Sequence, residues 1–189
     1  ELDIRGKWVG ERKYINEYFG FVIEVPVEWH LKKGDNDDLK KTATEFLGGD
    51  DENLKALLKS AIEKTYTVFQ ASRHPPGTPG KTNPSVVMSA ENIGHFQGIK
   101  SAKDYLLLLE DNLKLTNKKF SFAPEVNKVE LGGVEFWMRN ASITIGVIDV
   151  HQKYYARIKG NCTLVIGVTT ISEDDENTVS ELTRTIRIN

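Results

Sequence analysis

The chain has 189 residues, 39% of them hydrophobic, and its 25 Lys and Arg against 27 Asp and Glu leave a formal net charge of -2. The basic residues are scattered among acids instead of gathering into a stripe, which argues against a nucleic-acid partner because duplex affinity depends on clustered positive charge. No apolar run reaches the ~20 residues that a membrane-spanning helix needs, and the sole cysteine, Cys162, rules out an internal disulfide.

A chain of this length suits one domain spanning 1–189, able to bury roughly 70% of its unfolded surface. Both methionines, Met88 and Met138, are internal and the first residue is Glu1. We therefore expect a segment upstream to have been removed.

In chain order, Phe21, Ile23 and Val25 alternate onto one face and Pro26, which has no N–H to donate, ends the run. This predicts a first strand at 21–25. Leu39, Ala43, Phe46 and Leu47 recur at helical spacing and predict a helix over 35–47, stopped by Gly48-Gly49. Leu54, Leu57, Leu58, Ala61 and Ile62 give a second helix over 51–64. Strand patterns at 65–72 and 85–91 flank a Pro- and Gly-rich stretch, 74–84, that reads as a long hairpin connection. Ser101 with Asp104 resembles a capping box and opens a helix bearing Tyr105, Leu108, Leu109 and Leu113. Strands follow near 127–131, 134–145, 147–159 and 162–171, turned by Gly132-Gly133 and by Lys159-Gly160-Asn161. Ser172 begins a last helix whose Val179, Leu182 and Ile186 face inward. The short links between late strands imply antiparallel pairing, so the expected class is α+β: an antiparallel β-sheet with helices packed against it, an αβα sandwich.

Two registers compete in the last hairpin. A three-residue loop at 159–161 gathers Ile158, Ala156 and Tyr154 with Cys162, Leu164 and Ile166 on one face. A two-residue turn would put Arg157 and Lys153 among Leu164, Ile166 and Val168, burying charge. The first register is the expected one.

Several chemical motifs fail on their own terms. Gly80-Lys81-Thr82 mimics the end of a phosphate-binding loop, yet Pro75 stands at the first glycine position and three prolines remove N–H donors that such a loop needs. A calcium loop starting at Asp35 would need Gly at position 40 and Glu at position 46, which hold Lys40 and Phe46. The acidic clusters at 35–38, 50–52 and 173–176 sit instead at predicted helix starts, where carboxylates cap free N–H groups. His30, His74, His95 and His151 show no metal-ligand spacing. Cys162 points to the apolar side in the expected register, far along the strand pair from His151. No catalytic set, metal site or cofactor is therefore expected.

What remains is a polar row on one face of the 147–159 strand, Asp149, His151, Lys153, Tyr155 and Arg157, which lines a cleft in one reading and is a solvated sheet face in the other. Trp29 and His74 join this row as candidate ligand-binding positions.

The stretch Tyr18-Phe19-Gly20-Phe21 followed by Ile23, Val25, Pro26 and Trp29 resembles the opening of PsbP-like proteins, also called the Mog/PsbP-like or DcrB-related group. Tyr154 to Lys159, Gly160-Asn161, Leu164-Val165-Ile166 and the helix after Ser172 resemble its closing hairpin and terminal helix. Residues 35–84 look like a helical and loop elaboration on that core. The resemblance implies an exported bacterial protein, often a lipoprotein anchored through an upstream segment, and hence an extracytoplasmic location. Members differ in role, from photosystem subunit to envelope lipoprotein, so no site carries over. The expectation is a non-catalytic binding or accessory module whose partner is a protein or cell-envelope component. The alternatives are a small-molecule or lipid carrier, with a pocket between sheet and helices near Trp29 or the His151 row, and an unrecognised hydrolase using Asp149, His151 or the His74 loop.

Overall fold

The computed structural model of the protein describes residues 3–189. Three short strands, β1 (Lys7–Val9), β2 (Lys13–Asn16) and β3 (Phe21–Glu24), lead into β4 (His30–Lys33) and a helical pair, α1 (Asp37–Gly48) and α2 (Glu52–Ile62). Then come β5 (Thr65–Ser72), β6 (Ser85–Asn92), α3 (Ala102–Lys114), β7 (Phe120–Leu131), β8 (Val134–Ile145), β9 (Ile148–Lys159) and β10 (Cys162–Thr170), before α4 (Glu173–Thr183) and the two-residue β11 (Arg187–Ile188). The class is α+β, with every strand pair antiparallel.

The strands form two sheets where the sequence suggested one: a four-stranded sheet ordered β1-β2-β3-β11 and a seven-stranded sheet ordered β4-β5-β6-β10-β9-β8-β7. Strands β1, β2, β4 and β11 were not anticipated, because two to four residues are too few to display a period. The start of β7 was missed for a different reason: Pro124 breaks the pattern there, and the pairing with β8 shifts register between Phe122 and Val126.

One face of the large sheet carries the main core. Phe69, Met88 and Ile166 from its centre meet Tyr14, Phe21 and Ile23 of the small sheet, with Val179 and Leu182 of α4 closing the side. Asn16 organises the tight turn into β3: its side chain accepts from the Phe19 N–H at 2.8 Å and donates to the Tyr14 hydroxyl at 2.7 Å. Gly20, at φ 77°, completes that turn in the left-handed region that a side chain disfavours. Here the aromatic-Gly-aromatic opening is a packing device. The opposite face is covered by α3, whose Ala102 and Leu106 press on Ala156, with Trp137, Tyr154 and Ile158 around them.

Helix starts follow the sequence closely. Asn36, Asp51, Ser101 and Ser172 each accept an N–H three residues on, and Ser101/Asp104 and Ser172/Asp175 form complete capping boxes. The acidic clusters thus sit where carboxylates oppose the positive ends of helix dipoles.

The last hairpin departs from expectation. It turns through Gly160-Asn161 alone, Gly160 at φ 56°, so Cys162 pairs with Lys159, Leu164 with Arg157 and Val168 with Lys153. The expected register assumed one apolar face and one wet face. Both faces are covered instead, so Ala156, Tyr154 and Ile158 find their apolar partners under α3. The charges on the core side are accommodated individually: Lys153 ion-pairs with Glu176 of α4, and the Arg157 guanidinium donates to the Glu135 carbonyl at 3.0 Å. Their long apolar stems cover hydrophobic surface while the charged ends reach polar partners.

Candidate functional site

Helices α1 and α2 do not join the main core. They are held by polar links at their ends: the Asn117 N–H donates to the Leu47 carbonyl at 3.1 Å, the Asn117 side chain to the Gly48 carbonyl, and the Thr67 N–H to Asp35 at 3.2 Å. No residue of α2 is fully buried, although the helix is amphipathic. Its apolar stripe roofs a pocket instead. This cavity of about 190 Å³ lies between α2, the end of α1, α3 and the α3-side face of β5 and β6. Leu58 and Ile62 of α2, Leu109 and Leu113 of α3, and Phe96 supply apolar walls.

Five polar side chains stand in that lining, Thr65, Glu91, Tyr105, Asn112 and Thr116, and two of them pair. Glu91 near the end of β6 and Tyr105 in the first turns of α3 meet there, the Tyr105 hydroxyl donating to Glu91 Oε2 at 2.9 Å. Glu91 alternates with Ala90, whose side chain belongs to the main core, and so points to the α3 side, where it is only 8% exposed. Burial pushes its carboxyl above the usual range, an effect moderated by the Tyr105 hydrogen bond and by the positive charges of His95 and Lys64. Burial and the neighbouring carboxylate drive the Tyr105 phenol well above its ordinary value. Tyr105 therefore holds its proton and acts as a donor, while Glu91 Oε1 has no hydrogen-bond partner among the described residues. A half-open, largely apolar recess with a carboxylate oxygen free to accept is suited to holding a small amphiphilic molecule.

The candidate residues read from the sequence are dispersed. Trp29 is buried in the main core, its indole Nε1 without a partner among the described residues, and its carbonyl accepts from Arg12 at 2.6 Å. His74 lies in the β5–β6 connection, where Asn83 clamps its backbone through bonds of 2.8 and 2.9 Å. Asp149 accepts from Thr144 at 2.7 Å near the β8–β9 turn. His151 borders an open cleft of about 470 Å³ at the start of α4, with Ser172, Glu173 and Glu176. Lys153 reaches the same Glu176. Arg157 lines a separate recess of about 350 Å³ with Lys100 and Trp137, and six residues of strand, roughly 20 Å, separate it from His151. The fold therefore brings His151 and Lys153 toward one helix end and leaves Trp29, His74 and Arg157 apart. Among the described residues no group of three or more His, Cys, Asp or Glu is placed to hold a metal, and no helix is long and apolar enough to cross a membrane.

Sequence reasoning placed Tyr105 on the apolar stripe of α3 and gave Glu91 no role. In sequence, Val87, Ser89 and Glu91 look like the solvent face of a half-buried strand. Only the coverage of that face by α2 and α3 makes Glu91 a buried carboxyl.

No protein-family model and no curated protein matches the chain. Solved structures do. The solution structure of cyanobacterial PsbP (CyanoP) from Synechocystis sp. PCC 6803 superimposes with a TM-score of 0.50 at 11% identity, covering 97% of this chain and 98% of that one. The chain has a PsbP-like fold. LpqN of Mycobacterium tuberculosis, described as involved in cell envelope biogenesis, is similar at a TM-score of 0.45 and 14% identity over 89% of this chain and 83% of its own. A Bacteroides thetaiotaomicron protein gives 0.47 and 10%, with 96% and 49% covered. At these identities the PsbP-like likeness concerns the path of the backbone, and the Glu91 pocket has to be argued from this chain alone.

Proposed function

We propose that this protein is a non-catalytic binding module of the bacterial cell envelope, acting as one folded unit over residues 1–189 and holding a small, largely apolar molecule between α2, α3 and the sheet. The observation that carries this reading is the half-open, largely apolar pocket with the part-buried Glu91–Tyr105 pair in its wall. Such a pair is not a nucleophile with its base: the Tyr105 proton is held more tightly than usual, whereas a phenol in acid–base catalysis needs the opposite shift. The extracytoplasmic placement, with a lipid anchor upstream and an envelope protein or component as partner, rests on the resemblance to exported PsbP-like proteins.

Two measurements test the two halves. Titrating the isotope-labelled protein with mixtures of ring-sized fragments should move backbone resonances of α2, α3 and the end of β6, and titrations that leave those elements unmoved would sink the pocket. Fractionation of the native cells should recover the protein with the envelope, and recovery in the cytosol alone would sink the location.

A further inference from the structure

The pocket has a size and a polarity that together narrow its occupant, an argument that rests on the pocket reading above. A cavity of about 190 Å³ is smaller than the roughly 300 Å³ at which drug-sized sites begin. It is comparable to the roughly 150 Å³ apolar cavities that take up a single aromatic ring. The occupant is therefore ring-sized or a short branched chain.

Polarity selects its functional group. Tyr105 is already committed as a donor to Glu91 Oε2, and the lining's other polar side chains, Thr65, Asn112 and Thr116, are neutral, so the carboxylate oxygen still open in the wall is Glu91 Oε1. That oxygen is within reach of solvent, and a bound molecule that displaces water from it without offering a donor leaves it desolvated and unpaired, a costly outcome. A carboxylate ligand would set like charges side by side. An ammonium would have to shed its water and enter the field of Lys64 and His95, both near enough to act on Glu91. A neutral hydroxyl supplies the missing donor with neither penalty.

We infer that the pocket binds small neutral alcohols or phenols, the ligand hydroxyl donating to Glu91 Oε1 and the hydrocarbon body packing against Leu58, Ile62, Leu109 and Leu113. Hydrogen bonds to charged acceptors are among the stronger ones, so the hydroxyl should tighten binding about tenfold or more over a hydrocarbon of the same shape.

The test is an NMR titration of the whole chain with benzyl alcohol, toluene, benzoate and benzylamine. Benzyl alcohol should bind tightest and shift Glu91, Tyr105 and Leu109 amides, and Glu91→Leu should erase or reverse its advantage over toluene. Equal affinity for toluene and benzyl alcohol, or tighter binding of benzoate or benzylamine, overturns the hydroxyl assignment and leaves the pocket standing. Silence of all four ligands at these amides overturns both. Should Glu91→Leu fail to fold, the ranking on the unaltered chain decides, together with Tyr105→Phe, which keeps Glu91 and should preserve the preference for the alcohol.

Discussion

Thr82, 93 residues away in sequence, donates its hydroxyl to Asp175 Oδ1 at 2.6 Å. The phosphate-loop mimic therefore ends as a strap pinned to the start of α4. Asp175 also accepts the Ile171 N–H at 3.0 Å and the Ser172 N–H at 3.3 Å through Oδ2, so one carboxylate joins a loop, a strand end and a capping box. Asp175→Ala should cost about 2 kcal/mol, the upper range for a lost cap, while Thr82→Val, which removes the strap alone, should cost about 1 kcal/mol. Urea unfolding checks both, and equal losses would mean that the cap contributes little.

Arg139 and Glu110 pair across the β8–α3 contact, both buried, with Lys114 as a second partner of the carboxylate. Arg139 Nε and one terminal nitrogen have no hydrogen-bond partner among the described residues. Arg139→Met should therefore cost about 3 kcal/mol through the buried charge it leaves on Glu110, and adding Glu110→Leu should restore most of the loss, because the pair replaced together leaves only the solvent-exposed Lys114 without its partner. A double variant no more stable than Arg139→Met would refute this account.

Glu91 makes stability depend on pH in an unusual direction. Its carboxyl is raised above the ordinary value near 4.5 in the folded chain. As pH climbs through that value the unfolded chain loses the proton first, so the folded state binds more protons and stability falls until the folded group also ionises. Glu91→Gln removes this fall. The variant should gain on the natural chain between pH 4.5 and the folded-state pKa and hold a constant margin above it, read from urea midpoints across that range. A margin independent of pH would sink the idea.

Gly132 and Gly146 test close approach against backbone freedom. Both have positive φ, 57° and 64°, but a Cβ on Gly132 would collide with the Ile186 carbonyl where the chain end crosses the β7–β8 turn, whereas Gly146 has open space around it. Gly146→Ala should cost about 1 kcal/mol, the left-handed penalty alone. Gly132→Ala should cost at least about 3 kcal/mol because packed backbone must also move. Thermal unfolding of the two variants separates the effects.

Alternation and caps were legible along the chain because they are local. The 65–72 and 134–145 strands coincide with β5 and β8, and the Ser101/Asp104 box opens α3 as read. The register of β9 against β10 was not legible, because an apolar-face argument presumes knowledge of which faces are covered. The same blindness hid the pocket. Glu91 and Tyr105 lie 14 residues apart, and nothing in either segment announces that the two will meet.

By itself, the order of residues determined where the helices and most of the longer strands lie, which acids cap helix starts, and that the phosphate-loop and calcium-loop patterns lack the residues their chemistry needs. Those are matters of periods and N–H donors within a few positions. Tertiary structure alone decided that two sheets stack instead of one standing alone, that Arg157 and Lys153 find partners on the core side, and that α2 roofs a cavity over Glu91. Burial depends on what arrives from elsewhere in the chain, and a side chain's charge and reach acquire a role only once its surroundings have excluded water.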